Sequence, residues 1–168
     1  MSDLNLKLIL EEANKKFKEK ELGYFAETTK EHVYEVAHFM RKVDVFECAC
    51  MGQTPLQALQ HALNNGSITA TWVYNDNPVM IAGVVPSDPV PYIWVLGTND
   101  VETIPIFKFI RVCKHWKKVF TSLYPLTHNF VYKENHHAIK WLKLLGAKFI
   151  SKRNIFNYEF LEFIIQGD

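Results

Sequence analysis

The segment that decides the predicted fold is Asn135-His-His-Ala-Ile-Lys-Trp-Leu-Lys-Leu-Leu-Gly-Ala-Lys-Phe149-Ile150. Its apolar residues recur at helical spacing, and Gly146 lies where a helix would end. Asn135 stands directly before this helix, in the position where an asparagine side chain can cap free backbone N–H groups. The residues after Gly146 have a strand pattern, and so does the stretch from Asn129 to Tyr132 upstream. The segment therefore predicts a strand, an Asn-led helix, a glycine stop and a second strand.

The composition describes a single globular unit. The chain has 168 residues, of which 48% are hydrophobic and 22% charged. This length and hydrophobic fraction are enough to form one substantial core, and they argue against disorder. The formal net charge of +1 gives no general attraction to nucleic acid, so we do not expect nucleic-acid binding. The apolar runs fall short of the roughly eighteen residues that cross a bilayer, so we expect no membrane span.

The cysteines and histidines favour structural roles. Cys48, Cys50 and Cys113 are odd in number, and the N-terminal residues do not form a secretory signal pattern, so we expect reduced thiols in an intracellular protein. Cys48-Ala-Cys50 lacks the spacing and the second ligand pair of a zinc site, which favours helical core positions. His136 and His137 are consecutive and therefore point in different directions. We predict no metal site.

Helical and strand patterns alternate along the rest of the chain. The pattern predicts a charged, amphipathic N-terminal helix, a short strand and then two helices that begin after Thr29 and Thr54. A β-branched hairpin, a further strand and a long helix follow before the C-terminal segment. The predicted helices span residues 3–20, 30–51, 55–64 and 104–123, and the predicted strands span residues 24–28, 67–74, 78–85 and 92–96.

This order of elements resembles the GCN5-related N-acetyltransferase (GNAT) fold over roughly residues 24 to 165. In that fold a splayed strand precedes an Asn-led apolar helix and a Gly-aromatic turn, as in the segment from Asn129 to Phe149. The resemblance implies an α/β (α+β) fold with a mixed, mostly antiparallel central sheet flanked by helices. We accordingly divide the chain into an extra N-terminal helical extension, residues 1–22, and a single acetyltransferase-like domain, residues 23–168. The alternative is a buried helix packed on a sheet, with Asn135 acting only as its cap.

Shorter stretches narrow the resemblance to a group of phage proteins. These are Met40-Arg-Lys-Val-Asp44-Val-Phe-Glu47, Thr54-Pro-Leu-Gln-Ala-Leu59 and Trp94-Val-Leu-Gly-Thr98, together with the C-terminal segment. The combination is similar to tailed-phage proteins related to internal virion protein A, which are acetyltransferase-like proteins of short-tailed phages. The resemblance implies a phage-encoded protein with an internal core or ejection role.

The turn that would hold a cofactor departs from the GNAT pattern. Enzymes of this fold hold the pyrophosphate of acetyl-CoA with successive backbone amides in a glycine-rich turn at a helix N-terminus. The matching turn here runs from Leu96 to Pro105 and has one glycine, while Asp100 and Glu102 place negative charge beside the phosphates. Like-charge repulsion in a partly dry site argues against ordinary binding of coenzyme A. If the protein is active, acetyl-CoA is its cofactor, and Leu96, Gly97, Thr98 and Asn135 are the binding positions that match.

The catalytic pattern is also incomplete. Many family members carry a tyrosine seven residues after the motif asparagine, where it protonates the leaving thiolate. The count from Asn135 arrives at Leu142, which transfers no proton, so Trp141 and Leu142 are interpreted as core residues. Asn135 matches a position that can contact the cofactor, but a role as the cap of its own helix is at least as well supported.

Three charged residues on the predicted second helix are the remaining site candidates. Arg41, Asp44 and Glu47 are spaced by three residues, which brings neighbours close on one helical face. In the GNAT fold this helix lines the acceptor side. We therefore predict Glu47 and Asp44 as candidate bases and Arg41 as a contact to a substrate or partner. A solvated face of ion pairs is the alternative interpretation.

Two main functional hypotheses follow from the sequence. The first is a phage-encoded GNAT-fold protein with a degenerate acetyl-CoA site, which associates with other virion or assembly proteins in the host cytoplasm or inside the virion. The second is an active N-acyltransferase that acetylates an amine or lysine, since direct attack on a thioester depends mainly on positioning and a deprotonated amine. A phage factor that binds a host protein is a third alternative.

Overall fold

One seven-stranded sheet forms the centre of the protein. The structure, a computed structural model, describes residues 3–65 and 67–167. The strands are β1 (Tyr24–Ala26), β2 (Ile68–Tyr74), β3 (Asn77–Val85), β4 (Tyr92–Gly97), β5 (Leu126–Tyr132), β6 (Lys148–Ile155) and β7 (Tyr158–Gln166). The helices are α1 (Asp3–Lys18), α2 (Lys30–His38), α3 (Lys42–Cys50), α4 (Pro55–Asn64), α5 (Ile106–Leu123) and α6 (His136–Leu144), and a 3₁₀ helix spans Asn99–Thr103.

The sheet has the order β1-β2-β3-β4-β5-β7-β6. Its pairs are antiparallel except for β4 and β5, which run parallel. The predicted class, a mixed and mostly antiparallel sheet flanked by helices, is confirmed.

Helices cover both faces of this sheet. On β3, Met80 and Ala82 point into a core shared with α1 and α5, whereas Ile81 between them points into a core shared with α2, α3 and α4. This alternation follows from the two-residue period of a strand, which sends successive side chains to opposite faces. The sheet is therefore the middle of three layers.

Local capping fixes the starts of three helices as predicted. The side chains of Thr29, Thr54 and Asn135 accept hydrogen bonds from the backbone N–H groups of His32, Gln57 and Ala138, respectively. Each bond satisfies a donor that has no partner within the helix. Each capping side chain lies only a few positions before the N–H group that it binds, so the sequence pattern alone could predict the cap.

The prediction of one helix over residues 30–51 is wrong, because the chain bends between α2 and α3. Met40 forms an isolated antiparallel bridge with Thr98, and the Arg41 N–H donates to the Gly97 carbonyl at 3.0 Å. These contacts require an extended backbone at Met40 and Arg41, which interrupts the helical periodicity. The break follows from contacts with a distant strand, and it places Arg41 at the start of α3.

The N-terminal helix packs on the same core as the rest of the protein. Leu10, Ala13 and Phe17 of α1 are buried there. Asn14 forms two hydrogen bonds with the backbone of Phe25, which completes the outer edge of β1 in place of another strand. The proposed division at residue 22 stays a prediction, and residues 1–2, 66 and 168 of its two ranges lie outside the described residues.

Strands β4 and β5 meet at one end and separate at the other. Their pairing is confined to Tyr92 and His128, near the start of each strand. On its other side each strand is fully paired, β4 with β3 and β5 with β7. A gap therefore opens in the middle of the sheet, toward the ends of β4 and β5.

Candidate functional site

A cavity of about 270 Å³ lies at the gap between β4 and β5. Its walls come from helices on both faces of the sheet, with Asp44 and Glu47 from α3 and Trp116 and Trp141 from α5 and α6. Leu96 and other residues of the two strands complete it. Of the predicted site residues, Arg41, Asp44, Glu47, Leu96 and Asn135 line this cavity, whereas Gly97 and Thr98 lie in the turn beside it.

The backbone amides at the start of the turn after β4 donate hydrogen bonds to acceptors within the chain. The Gly97 N–H donates to Asp44 Oδ2 at 3.0 Å, the Thr98 N–H to the Val79 carbonyl at 2.9 Å, and the Asn99 N–H to the Phe39 carbonyl at 3.0 Å. Three successive amides at the start of this turn therefore already have acceptors within the chain. The following 3₁₀ helix carries Asp100 and Glu102 in its first turn.

Asp44 and Arg41 form a buried ion pair beside this turn. Arg41 Nε donates to Asp44 Oδ2 at 3.0 Å, and Arg41 Nη2 donates to Asp44 Oδ1 at 2.9 Å. The side chains are only 11% and 4% exposed, so the alternative of a solvated ion-pair face is wrong. Burial raises the pKa of Asp44, while the Arg41 charge and the Gly97 N–H act in the opposite direction. The pair joins the start of α3 to the end of β4.

Glu47 lies one turn further along α3 and contacts the other side of the gap. Its Oε1 accepts hydrogen bonds from the Asn135 Nδ2 at 3.0 Å and from the Tyr132 N–H at 3.2 Å. Burial raises the pKa of Glu47 to about 7, and the nearby Asp44 carboxylate adds to the effect, whereas the two hydrogen bonds oppose it. Glu47 therefore changes its charge near neutral pH.

Asn135 joins this carboxylate to the helix that the sequence predicted. Its side chain is buried, and its Oδ1 accepts from the Ala138 N–H at 3.2 Å while its Nδ2 donates to Glu47. The cap and the contact with α3 are thus made by the same amide group. Leu142 is buried in the core, and the half-buried Trp141 packs against it, which confirms the interpretation of both as core residues.

Asn129 is a site residue that the sequence reasoning missed. Its Nδ2 donates to the Ile93 carbonyl at 2.7 Å and its Oδ1 accepts from the Phe130 N–H at 2.7 Å. The side chain thus spans β4 and β5 where their backbones begin to separate. A polar asparagine at the start of an apolar strand pattern was the available signal.

The thiols offer no nucleophile at this site. Cys48 and Cys113 line the cavity, and all three cysteines are free and buried. Burial raises the pKa of the Cys48 thiol to about 12, and it raises that of Cys113 further. Such thiols stay protonated and unreactive at neutral pH. Their burial confirms the prediction of core positions for Cys48 and Cys50.

The described parts of the chain contain neither a metal-binding cluster nor a membrane-spanning helix. Within residues 3–65 and 67–167, no cluster of three or more histidine, cysteine or acidic side chains has an arrangement that could hold a metal ion. None of the helices in those ranges has the length and apolar character needed to cross a membrane.

Solved acetyltransferases share this architecture. The ribosomal-protein-S18-alanine N-acetyltransferase from Escherichia coli superimposes with a TM-score of 0.65 at 7% identity, covering 84% of this chain and 92% of that chain. The chain has the GNAT fold. A GNAT-family acetyltransferase from Bacillus anthracis gives a TM-score of 0.63 at 10% identity, covering 85% and 93% of the two chains. The structure of AAC(6')-Ib in complex with ribostamycin and coenzyme A gives 0.64 at 10% identity, covering 84% and 92%.

Sequence comparison points to phage proteins. The family model described as Bacteriophage T7, probable scaffold protein Gp13, matches residues 84–153 of this GNAT-fold chain. The match includes β4, the turn after it, α5, β5 and α6, and it spans less than half of the chain. No curated protein is similar to the sequence at a significant level.

Proposed function

We propose that this chain is a phage-encoded assembly protein that uses a GNAT fold without the acetyl-CoA site of the enzymes, and that it acts through contacts with other virion or assembly proteins. The observation that carries the proposal is the set of hydrogen bonds at Gly97, Thr98 and Asn99, whose amides donate within the chain. A phosphate at this turn would have to displace the Asp44 carboxylate and two backbone carbonyls.

Two further observations support this proposal. Displacing Asp44 from Gly97 would also disturb its buried pair with Arg41, and a buried charge that loses its partner is costly. The match to the probable scaffold protein family covers the turn after β4 and the turn between β5 and α6, which flank the gap. The region that departs from the enzyme pattern is therefore the region similar to that family. A role in the assembly of phage particles, in the host cytoplasm or inside the virion, fits both observations.

Binding measurements with two related ligands test the missing cofactor site. Acetyl-CoA and acetyl-pantetheine are titrated separately into the protein in a calorimeter. The two differ by the nucleotide and its phosphates, so we expect acetyl-CoA to bind no more tightly than acetyl-pantetheine. Saturable binding of acetyl-CoA at about micromolar affinity, at least about a hundredfold tighter than acetyl-pantetheine, would overturn the proposal.

The assembly role has its own test. Proheads and mature particles of the phage that encodes the chain are purified, and their proteins are quantified by mass spectrometry. We expect the chain in proheads, in a constant ratio to the coat protein. Its absence from both kinds of particle would contradict the assembly role and favour an enzyme or a host-binding factor.

An active N-acyltransferase is the second candidate, and Glu47 is the observation that favours it. A carboxylate with a pKa of about 7 at the wall of the cavity is suited to take a proton from an amine through water. Transfer of an acetyl group from acetyl-CoA to a panel of amines and peptides tests this candidate. Glu47→Gln should then lower the rate by about a hundredfold or more, and an unchanged rate would remove Glu47 from the mechanism.

A further inference from the structure

The two helical layers of the protein carry opposite formal charge. Helices α1, α5 and α6 share a core on one face of the sheet, and α2, α3 and α4 pack on the other face. Helix α5 contains five lysine or arginine residues and α6 contains two, and neither helix contains an acidic residue. Helices α2, α3 and α4 together contain two lysines and four acidic residues. The formal net charge of +1, which gave no reason to expect nucleic-acid binding, therefore averages two unlike surfaces.

Three cationic side chains form a stripe along the outer surface of α5. Arg111, Lys114 and Lys118 are exposed, whereas Val112 and Trp116 on the opposite side of the helix are buried. The spacing of three and four residues places the three cations on one side of the helix, over a length of about 10 Å. Within residues 3–65 and 67–167, none of the three forms an ion pair. Their charges are therefore available to an external anion.

Helix α1 extends the stripe across the groove that separates it from α5. Lys16 and Lys118 line this groove together with His115. Burial lowers the pKa of His115, and the charges of Lys16 and Lys118 add to the effect, so both ammonium groups lie near the same ring. Glu12 also lines the groove and lies 3.7 Å from Lys16, but both side chains of this pair are mostly exposed. Such a pair is weak, so Lys16 can exchange its partner for a phosphate.

Helix α6 adds two lysines next to α5. The rings of Phe109 and Trp141 are 5.8 Å apart and pack the two helices against each other. Lys140 and Lys143 are exposed and lie three residues apart on one side of α6. The name basic face is used below for the six exposed cations of the three helices, which are Lys16, Arg111, Lys114, Lys118, Lys140 and Lys143.

The surroundings of these charges favour duplex DNA as the partner. Within the described range 108–143, no large apolar side chain is exposed, whereas an interface with a protein normally has an apolar core that is depleted in charge. A single strand is bound largely by stacking on aromatic rings, and no phenylalanine, tyrosine or tryptophan in this range is exposed. Duplex DNA has one phosphate charge per about 1.7 Å and is contacted mainly through its phosphates by lysine and arginine.

We propose that the basic face binds the phosphate backbone of duplex DNA without reading the base sequence, with Arg111, Lys114 and Lys118 at the centre of the contact. A row of cations on three neighbouring helices matches a linear polyanion, since a small anion would meet only one or two of them. The inference goes beyond the assembly role and does not depend on it. Absence of the chain from phage particles would contradict the assembly role and leave DNA binding by the purified protein unaffected.

Fluorescence anisotropy with a labelled DNA duplex tests the proposal. The full-length protein is titrated into the duplex at about 50 mM and at about 200 mM salt. Release of counterions from about four contacted phosphates should weaken binding about a hundredfold between the two salt concentrations. A change of less than about threefold would overturn the proposal, and so would the absence of binding at the lower salt concentration.

Unlabelled competitors identify the class of polyanion. A duplex of unrelated sequence should compete within about twofold of the original duplex, because phosphate contacts carry no sequence information. Single-stranded DNA and polyglutamate, compared at equal concentration of charge, should compete at least about fivefold less well. Equal or better competition by polyglutamate would assign the surface to an acidic protein, and better competition by the single strand would contradict the choice of duplex DNA.

Charge reversal on the two layers locates the contact. Lys114→Glu combined with Lys118→Glu should weaken binding of the duplex at least about thirtyfold and make its salt dependence less steep. Lys30→Glu combined with Lys42→Glu is the matched control, because both lysines are exposed on the other layer and the change in net charge is the same. This control should bind within about threefold of the unmodified protein. Equal effects of the two double variants would contradict the basic face as the binding surface, and far-ultraviolet circular dichroism checks that both are folded.

Discussion

Two turns flank the gap in the sheet, and each receives a carboxylate from α3. At the turn after β4, Asp44 accepts from the Gly97 N–H and is paired with Arg41. At the turn after β5, Glu47 accepts from the Tyr132 N–H and from Asn135, and both of these donors are uncharged. The two carboxylates accept backbone N–H groups in a similar way, but only the charge of Asp44 is balanced by a guanidinium, that of Arg41.

Helix α3 thus holds the two sides of the open sheet by two different kinds of contact. The Asp44 contact is a compensated ion pair, so its geometry depends on keeping both partners. The Glu47 contact gains or loses a charge near neutral pH, because burial raises the pKa of this carboxyl to about 7. The β4 side of the gap is therefore fixed, whereas the β5 side responds to pH.

Loss of the Arg41 and Asp44 ion pair should destabilise the protein more than any other change considered below. Asp44→Ala leaves the buried Arg41 charge without its partner and the Gly97 N–H without its acceptor. Removing one member of a buried pair typically costs about 3–5 kcal/mol, and we expect a loss of this size in the free energy of unfolding, measured with urea.

A double variant serves as the control for this prediction. Arg41→Leu combined with Asp44→Leu removes both charges, so its loss of stability should be clearly smaller than that of Asp44→Ala. A cost below about 1 kcal/mol for Asp44→Ala would show that the pair does not hold the β4 side of the gap, since exposed ion pairs contribute that little.

The second prediction concerns the pH dependence of the Glu47 contact. The pKa of Glu47 is raised in the folded protein from its ordinary value of 4.5 to about 7. The stabilisation that accompanies its protonation is therefore fully present below about pH 4.5 and is lost as the pH rises through about 7. Glu47→Gln, which stays neutral, should match the unmodified protein near about pH 4 and exceed its stability by about 2–3 kcal/mol near about pH 8.

Urea unfolding at several pH values measures this difference. Glu12→Gln is the control, because the Glu12 side chain is 76% exposed, and its effect should not vary with pH in the same way. A constant difference between Glu47→Gln and the unmodified protein across this range would mean that Glu47 does not titrate near neutral pH in the folded state.

The elements defined by neighbouring residues were predictable from the sequence. The caps at Thr29, Thr54 and Asn135 and the hairpin turn after Tyr74 are local arrangements, and the structure contains all of them. The resemblance of the C-terminal segment to the GNAT motif also led to the correct fold. In each case the side chains that shape the backbone lie within a few positions of it.

The missed features depend on partners far away in the sequence. The interruption of the helix at Met40 follows from its bridge to Thr98, and the burial of Asp44 from its contact with Gly97. The acidic residues after Leu96 led to the prediction of a lost phosphate site, whereas the hydrogen bonds of the Gly97, Thr98 and Asn99 amides to distant acceptors follow no spacing rule. Asn129 was missed for the same reason, because its role depends on the carbonyl of Ile93.

The smallest predicted effect separates the two roles of Asn135 on the β5 side. Asn135→Ala removes both the cap on Ala138 and the bond to Glu47, and we expect a loss of about 1–2 kcal/mol in the free energy of unfolding. Asn135→Ser retains a capping oxygen but is too short to keep the bond to Glu47 in the same geometry. Asn135→Ser should therefore recover about half of the lost free energy of unfolding. If serine destabilised the protein as much as alanine does, the whole contribution of Asn135 to stability would come from its bond to Glu47.

The same pair of variants bears on the comparison between the two turns. The Asn135 bond lowers the pKa of Glu47, so both variants should raise that pKa further. Neither variant touches the Arg41 and Asp44 pair. If the midpoint of the Glu47 titration, followed by carbon-13 NMR of its carboxyl group, stayed in place in both variants, the Asn135 bond would make no contribution to the pKa of Glu47.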